Sequence, residues 1–190
     1  MKRLLVVVAF TIFLFGCGEA IETNMNEDVL EFEVTTQENE TFSLDDLKGD
    51  YWVADFIFTN CTTVCLPMTA NMKGLQDQMK EEGIDDVQLV SFSVDPDYDT
   101  PEVLKAYGDN YEADFSNWTF LTGYDFQTIK EISIKSFKSL LAEAPEGSDQ
   151  VTHGTRFFLV NPEGKVIKNY DGVQSASMDT IINDLKKVTE

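Results

Sequence analysis

Basic residues are scarce in this sequence. Its 190 residues include 14 lysines and arginines against 34 aspartates and glutamates, which gives a formal net charge of −20 at pH 7. Binding to nucleic acid depends on cationic side chains that neutralise phosphates. The composition therefore excludes a nucleic-acid-binding protein. A strongly acidic surface instead favours solubility and repels anionic partners.

Cysteine and histidine are also scarce. The chain has three cysteines, Cys17, Cys61 and Cys65, and one histidine, His153. So few cysteines exclude a small scaffold that several disulfides hold together. Nothing else in the composition indicates a disordered chain. Thiolate or imidazole chemistry therefore has to come from these four residues.

The sequence has one long hydrophobic run, at its amino terminus. Two basic residues precede an uncharged stretch, residues 4–16, which is the layout of a secretory signal. The run is shorter than the roughly 20 residues that a membrane-spanning helix needs. It ends in LFGC, which resembles a bacterial lipobox although Phe15 is bulky for its position. We predict that residues 1–16 are a lipoprotein signal peptide and that Cys17 becomes lipidated; the alternative is a plain signal peptide with an incidental cysteine.

Removal of the signal peptide leaves 174 residues and a net charge of −22. This length suits one domain with a sizeable core. Residues 17–30 are polar and acidic without periodicity, and we predict that they form a tether between the lipid anchor and the domain. Residues 31–190 then form one domain on the extracytoplasmic face of the cell membrane.

Strand and helix patterns alternate along residues 31–190. A polar tip between two alternating stretches predicts an N-terminal β-hairpin, and an aromatic and β-branched run at residues 51–58 predicts a strand covered on both faces. Further strands are predicted in VQLVSFSV, RFFLV and GKVIKNYDG, and helices after Pro67, from Pro101, and in DFQTIKEISIKSFKSLL and SMDTIINDLKKV. This alternation predicts an α/β fold with a mixed central sheet flanked by helices.

Cys61 and Cys65 lie between the predicted strand at 51–58 and the helix that follows. The carboxyl ends of strands are where α/β sheets usually hold their sites. Because Pro67 restricts Leu66, we expect Cys65 in the loop or in the first turn of the helix, where the helix amino terminus would lower the thiol pKa. Such a pair in an exported protein is a redox couple or a metal site, and two inert buried thiols are the third alternative.

His153 stands directly before the predicted strand RFFLV and after a polar stretch, EAPEGSDQ, that predicts a long loop over the sheet edge. A single loop histidine is more often a surface or packing residue than a ligand. Two thiolates and one imidazole nevertheless make a complete metal site. Thiolates select Cu(I), imidazole suits copper and zinc, and zinc usually takes a fourth ligand. A copper site and a thiol–disulfide couple both remain open on these residues.

Three stretches, IFTNCTTVCLPMTANM, SFSVDPDYDTPEVLKAY and VTHGTRFFLVNPEGKVIKNYDG, together closely resemble the Sco (SenC) family. The resemblance runs over roughly residues 30–188. It implies a thioredoxin-like fold and copper, as Cu(I) and/or Cu(II), bound by Cys61, Cys65 and His153. It also implies a role in assembling the CuA site of cytochrome c oxidase, with the CuA-bearing subunit as partner, and a lipid anchor that attaches the protein to the outside of the cytoplasmic membrane.

Two details qualify this resemblance. The family usually has proline directly after the second cysteine, whereas Leu66 precedes Pro67 here, and we expect a change in loop shape more than in metal binding. The family also carries an acidic residue at the position of Asp95, which implies tuning of the copper site or a contact with a partner; an aspartate before proline also commonly caps a turn. Met68 and Met72 offer thioethers beside the pair, but methionines at helical spacing are more often packing residues.

Three functions fit these residues: a copper metallochaperone, a thiol–disulfide oxidoreductase with Cys61 or Cys65 as attacking thiolate, and a redox or copper sensor. Ordinary thioredoxin-like reductases carry Cys-x-x-Cys and a cis-proline before a strand like RFFLV. Here the cysteine spacing is one residue longer, and Thr155 stands nearest to the place of that proline. This departure favours copper over general disulfide reduction.

Overall fold

The computed structural model describes residues 21–61 and 65–189. The predicted signal peptide, Cys17 and the first residues of the predicted tether lie outside the described residues. Among the helices described, none combines the length and the apolar character that crossing a bilayer requires.

A mixed sheet forms the centre of the fold. The described strands are β1 (Glu27–Asp28), β2 (Glu33–Thr36), β3 (Thr41–Ser43), β4 (Tyr51–Ile57), β5 (Val87–Ser93), β6 (Trp118–Thr122), β7 (Leu141–Ala142), β8 (Thr152–His153), β9 (Arg156–Val160) and β10 (Lys165–Asp171). The main sheet has the order β1-β10-β9-β4-β5-β6-β2-β3, and β7 pairs with β8. Strands β4, β5 and β6 are parallel, and β9 is antiparallel to β4. The predicted mixed sheet and the β2–β3 hairpin are confirmed.

Helices cover both faces of this sheet. They are α1 (Cys65–Glu82), α2 (Pro101–Asn110), α3 (Phe126–Phe137) and α4 (Ala176–Thr189), with a 3-10 turn at Leu44–Leu47. Helix α2 begins as predicted, because the Thr100 side chain accepts the N–H of Val103 and Pro101 occupies the first turn. Helices α1, α2 and α4 contribute to the core on one face, and α3 contributes to the core on the other.

Strand β4 is buried on both faces. Trp52 and Phe56 point into the core that contains α3, and Val53 and Ile57 point into the core that contains α1 and α4. All four are at most 1% exposed. Burial on both faces explains the continuous apolar run in the sequence, and it holds the carboxyl end of β4 rigidly in place.

Met68 and Met72 are residues of α1, and their side chains are fully buried in the core cluster that also contains Leu75. This is the environment of packing residues.

Several short strands were absent from the predicted pattern. Strand β6 is central, between β5 and β2, so that apolar residues occupy both of its faces and no alternation marks it. Strands β1, β7 and β8 have two residues each, too few for any period to show. His153 accordingly lies in β8, opposite Leu141 of β7, rather than in an irregular loop.

The predicted tether is wrong for residues 21–30, which pack on the domain. Ile21 and Val29 are buried, the N–H groups of Asn24 and Met25 donate to the carbonyl of Ile167, and β1 pairs with β10. Backbone pairing leaves no signature in side-chain polarity, and two isolated apolar residues do not make a periodic pattern. The folded unit therefore begins at or before residue 21.

A chain that begins at residue 31 should be less stable than one that begins at residue 21. Burying Ile21 and Val29 is worth about 1.5 to 3 kcal/mol each, so we expect the free energy of unfolding to fall by about 3 kcal/mol or more. Urea titration of both chains, followed by circular dichroism, measures the difference. Equal unfolding midpoints would show that residues 21–30 do not stabilise the domain.

Candidate metal centre

Cys61 closes a tight turn at the end of β4. Its N–H donates to the carbonyl of Phe58 at 3.3 Å, and its side chain is buried. On the exposed side of the turn, the Asn60 amide donates to Asp149 at 2.8 Å, and the Gln150 amide donates to the carbonyl of Asn60 at 3.1 Å. The loop that leads into β8 therefore lies over this turn, as the sequence predicted.

Cys65 is the first residue of α1, in agreement with the expected place in a loop or first turn. Leu66 and Pro67 continue the helix, because the first N–H groups of a helix have no intrahelical acceptor and a proline there sacrifices no hydrogen bond. The N–H of Cys65 donates to the sulfur of Cys61 at 3.4 Å. The two cysteines therefore contact each other, and the structure holds both as thiols.

His153 presents one ring nitrogen to Cys65. The distance from His153 Nε2 to Cys65 Sγ is 3.2 Å, and Nδ1 lies 2.9 Å from the carbonyl oxygen of Gly154. A carbonyl can only accept, so Nδ1 carries the hydrogen and Nε2 of the neutral ring is left with its lone pair. The ring of Phe58 packs edge-on against the imidazole, with centroids 5.7 Å apart. The imidazole is thus oriented as metal-ligating histidines are.

The structure brings the three sequence-predicted ligands together. The sulfur atoms of Cys61 and Cys65 and a ring nitrogen of His153 all lie within 4.8 Å of one another. Cys61 and His153 line a cleft of about 340 Å³ together with Phe58, Thr155 and residues 150–152. Cys65, which is 0% exposed, lies behind them. This spacing allows all three donor atoms to bind one metal ion.

The Cys65 thiol differs from the prediction that a helix amino terminus would lower its pKa. Burial raises the pKa of Cys65, and the hydrogen bond to Cys61 adds to the rise. The free-energy cost of removing a Cys65 thiolate from water exceeds the stabilisation that the amino terminus of the helix gives it. Cys65 is therefore a neutral thiol near neutral pH, and it releases a proton when it binds a metal.

Asp55 is a buried acid on β4 that the sequence analysis did not single out. It is 0% exposed, and neither carboxyl oxygen has a hydrogen-bond partner in the described part of the chain. Burial raises the pKa of Asp55 to about 7. An aspartate inside the run YWVADFIF was the available signal, because a central strand rarely holds an acid without a reason.

A family model described as SCO1/SenC matches residues 22–190. The chain belongs to the Sco/SenC family. It is 47% identical to the SCO1 protein homolog of Bacillus subtilis, over 100% of this chain and 98% of that relative.

Solved Sco structures agree with the fold. A SCO1/SenC family lipoprotein from Bacillus anthracis has a TM-score of 0.82 at 50% identity and covers 87% of this chain and 96% of its own. BsSco, a member of the Sco family of cytochrome c oxidase assembly proteins in which a disulfide switch was identified, has a TM-score of 0.79 at 47% identity, over 89% and 98% of the two chains. ScoI from Bradyrhizobium japonicum with copper bound shares the fold at 23% identity, with a TM-score of 0.70 over 84% and 98%. The thioredoxin-like fold is therefore confirmed.

Asp95 forms a turn in this Sco protein. Its carbonyl accepts the N–H groups of Tyr98 and Asp99, and its own N–H donates to the Ser93 hydroxyl at 3.1 Å. Partial burial raises the pKa of the Asp95 carboxyl, and the charges of Asp97 and Asp149 add to the rise. These contacts match the alternative that an aspartate before proline caps a turn. Tuning of the copper site by Asp95 stays a prediction.

Replacing Asp55 by asparagine should make the metal-free Sco domain more stable than the wild type, by an amount that increases as the pH rises. Asp55 holds its proton up to a pKa of about 7 in the folded protein, against an ordinary value of 3.8, so its contribution to stability is lost as the pH rises through the folded pKa. Relative to the wild type, the free energy of unfolding of Asp55→Asn should increase by up to about 4 kcal/mol between pH 4 and pH 8. Urea denaturation of both reduced proteins measures it, and a pH-independent difference would contradict it.

Proposed function

We propose that this protein is a copper metallochaperone. One copper ion, as Cu(I) and/or Cu(II), is held by the thiolates of Cys61 and Cys65 and the imidazole of His153, and is delivered to the CuA site of cytochrome c oxidase or used to prepare that site. The observation that carries this proposal is the convergence of the three donor atoms within 4.8 Å. Support comes from Sco relatives solved with copper bound and from a close relative in a family of cytochrome c oxidase assembly proteins.

The donor set suits copper in both oxidation states. Thiolate sulfur is a soft donor that selects Cu(I). Imidazole also suits Cu(II). The hydrogen bond from Nδ1 of His153 to the carbonyl of Gly154 already leaves Nε2 as the donor nitrogen. The imidazole therefore binds without a change of tautomer, and binding requires the loss of thiol protons alone.

Differences in access set the order of transfer. Cys61 and His153 line the cleft, and the fully buried Cys65 lies beneath them. Incoming copper therefore meets Cys61 and His153 first. Acceptor ligands approach from the same side and replace the chaperone ligands one at a time, so that Cys65 releases its copper last.

The same two thiols support a second candidate function, reduction of a disulfide in the acceptor. The thiolate of Cys61, which lines the cleft, attacks one sulfur of the acceptor disulfide and displaces the other as a thiolate. Cys65 then gives its proton to the displaced acceptor thiolate and attacks the sulfur of Cys61, which releases the second acceptor thiolate and leaves a Cys61–Cys65 disulfide. Because that disulfide has no thiolates for copper, reduction and copper transfer take place in sequence. A redox or copper sensor would use the same two states to change a partner contact.

The proposed partner is the oxidase subunit that carries the CuA site, at the extracytoplasmic face of the cell membrane. Support for this place comes from the signal-like amino terminus and the lipobox-like residues before Cys17. The related protein from Bacillus anthracis is a lipoprotein. An anchor of two or more acyl chains at Cys17 holds the domain near its acceptor.

Copper titration of the reduced domain from residue 21 tests the three ligands. We expect one copper per chain with thiolate-to-copper charge-transfer absorption, which Cys61→Ser and Cys65→Ser abolish. His153→Ala should weaken the affinity by more than about 100-fold, because loss of a ligand exceeds the 10- to 100-fold effect of an outer-shell partner. Met68→Leu, which removes a buried thioether at similar volume, should bind copper like the wild type.

Unchanged copper retention in His153→Ala would overturn the three-ligand site. Absence of tight copper binding in the wild type would overturn the metallochaperone and leave the thiol–disulfide function, which the reduction potential of the Cys61–Cys65 pair then tests.

Cys17→Ala should release the full-length protein from the membrane. Acyl chains on Cys17 supply the proposed anchor, and alanine offers no sulfur to carry them. Fractionation of cells of a lipoprotein-processing bacterium, with mass spectrometry of the mature amino terminus, measures the change. Equal membrane retention of the wild type and Cys17→Ala would contradict lipidation at Cys17.

A further inference from the structure

Asp99 is a buried carboxylate in the connection between β5 and α2, and it is 0% exposed. Its two oxygens lie 3.3 and 3.2 Å from the backbone nitrogen of Thr59, and the Thr59 hydroxyl lies 2.5 Å from one of them. The Ser93 hydroxyl donates to the other oxygen at 2.6 Å. One carboxylate therefore joins the end of β5 to the turn that follows β4.

Asp99 accepts the hydrogen in all of these contacts. The backbone N–H of Thr59 can only donate. The Ser93 oxygen accepts the N–H of Asp95 at 3.1 Å, and the Ser93 hydroxyl donates its own hydrogen to Asp99. An ionised carboxylate satisfies these donors at once, whereas an amide of the same shape turns an NH2 group toward one of them.

The turn held by Asp99 is the one that carries Cys61. Thr59 follows Phe58, whose carbonyl accepts the N–H of Cys61. On its exposed side, contacts of Asn60 with the loop before β8 hold the turn. Cys65 has a separate anchor, because it begins α1. Loosening the turn therefore displaces Cys61 and leaves Cys65 in place.

We infer that Asp99 is a positioning residue for the metal centre: it fixes the sulfur of Cys61 relative to Cys65 and His153. The part of this inference that concerns copper rests on the proposed function. The part that concerns the position of Cys61 holds for the metal-free dithiol as well. Asp99 was not among the residues that the sequence analysis singled out.

Two variants and one matched control test this role. Asp99→Asn keeps the shape of the side chain and removes its all-acceptor character. Thr59→Val removes the hydroxyl bond at similar volume. The control is Asp184→Asn, which alters another buried carboxylate, one that accepts from Lys168 and Tyr170 away from the centre.

Three readouts are compared in the reduced domain from residue 21. Copper affinity is measured by competition with a chelator. The rates of iodoacetamide alkylation at Cys61 and Cys65 are measured separately by mass spectrometry on the metal-free protein. Urea denaturation reports the loss of stability for each variant.

Asp99→Asn should weaken copper binding by about 10- to 100-fold, the usual effect of losing an outer-shell partner. In the metal-free protein it should raise alkylation of Cys61 several-fold relative to Cys65. Thr59→Val should shift both readouts in the same direction by less, and should add little in the Asp99→Asn background because the two residues share one interaction. Asp184→Asn should lose stability without either change.

Wild-type copper affinity and an unchanged Cys61-to-Cys65 alkylation ratio in both variants would overturn the inference, as would equal changes in Asp184→Asn. If Asp99→Asn does not fold, Thr59→Val decides by the same two readouts. If the wild type itself does not hold copper, the proposed function fails, and the alkylation ratio alone decides whether Asp99 positions Cys61.

Discussion

The pairing of β4 with β5 on one side and β9 on the other is the constraint on which the candidate metal centre depends. β4 and β5 run parallel, from Tyr51 opposite Val87 to Ile57 opposite Ser93, so both end at the same edge of the sheet. β9 runs antiparallel to β4, so its first residues lie at that edge too, just after His153. The three strands therefore bring the turn that carries Cys61, the β5–α2 connection that carries Asp99, and the imidazole of His153 to the same edge of the sheet. Burial of β4 on both faces keeps them there.

Burial also sets the charge of the centre. Taking Cys65 and Asp55 out of water disfavours their ionised forms, which raises the pKa of each. Burial thus favours the neutral forms of Cys65 and Asp55 although the chain as a whole is strongly acidic. A bound cation reverses this balance, because its own charge favours thiolates. Burial raises the pKa of Asp99 as well, but hydrogen bonds from Ser93 and Thr59 oppose the rise. Asp99 thus differs from Asp55 in having its donors in place, and a carboxylate so bonded can hold a turn rigidly, whereas an unsatisfied one destabilises the fold.

Much of the fold was predictable from local patterns. The run at residues 51–58, the Thr100 cap and the hairpin tip each carry a signal within a few residues, and the structure confirms each. Strand β6 and residues 21–30 could not be predicted in this way. A strand with apolar residues on both faces shows no period, and β1 owes its place to backbone hydrogen bonds with β10, which any side chains allow.

The sequence by itself determined which donors exist. It holds two thiols four residues apart after a strand and one imidazole before another, and the chemical identity of a side chain does not depend on folding. Only the tertiary structure decided that His153 meets Cys65 at 3.2 Å across 88 positions of the chain. It also decided that burial outweighs the helix terminus at Cys65, and that Asp99 bonds to Thr59 in the cysteine turn. Distance, desolvation and hydrogen-bond direction arise from packing between segments remote in sequence, and no local pattern encodes them.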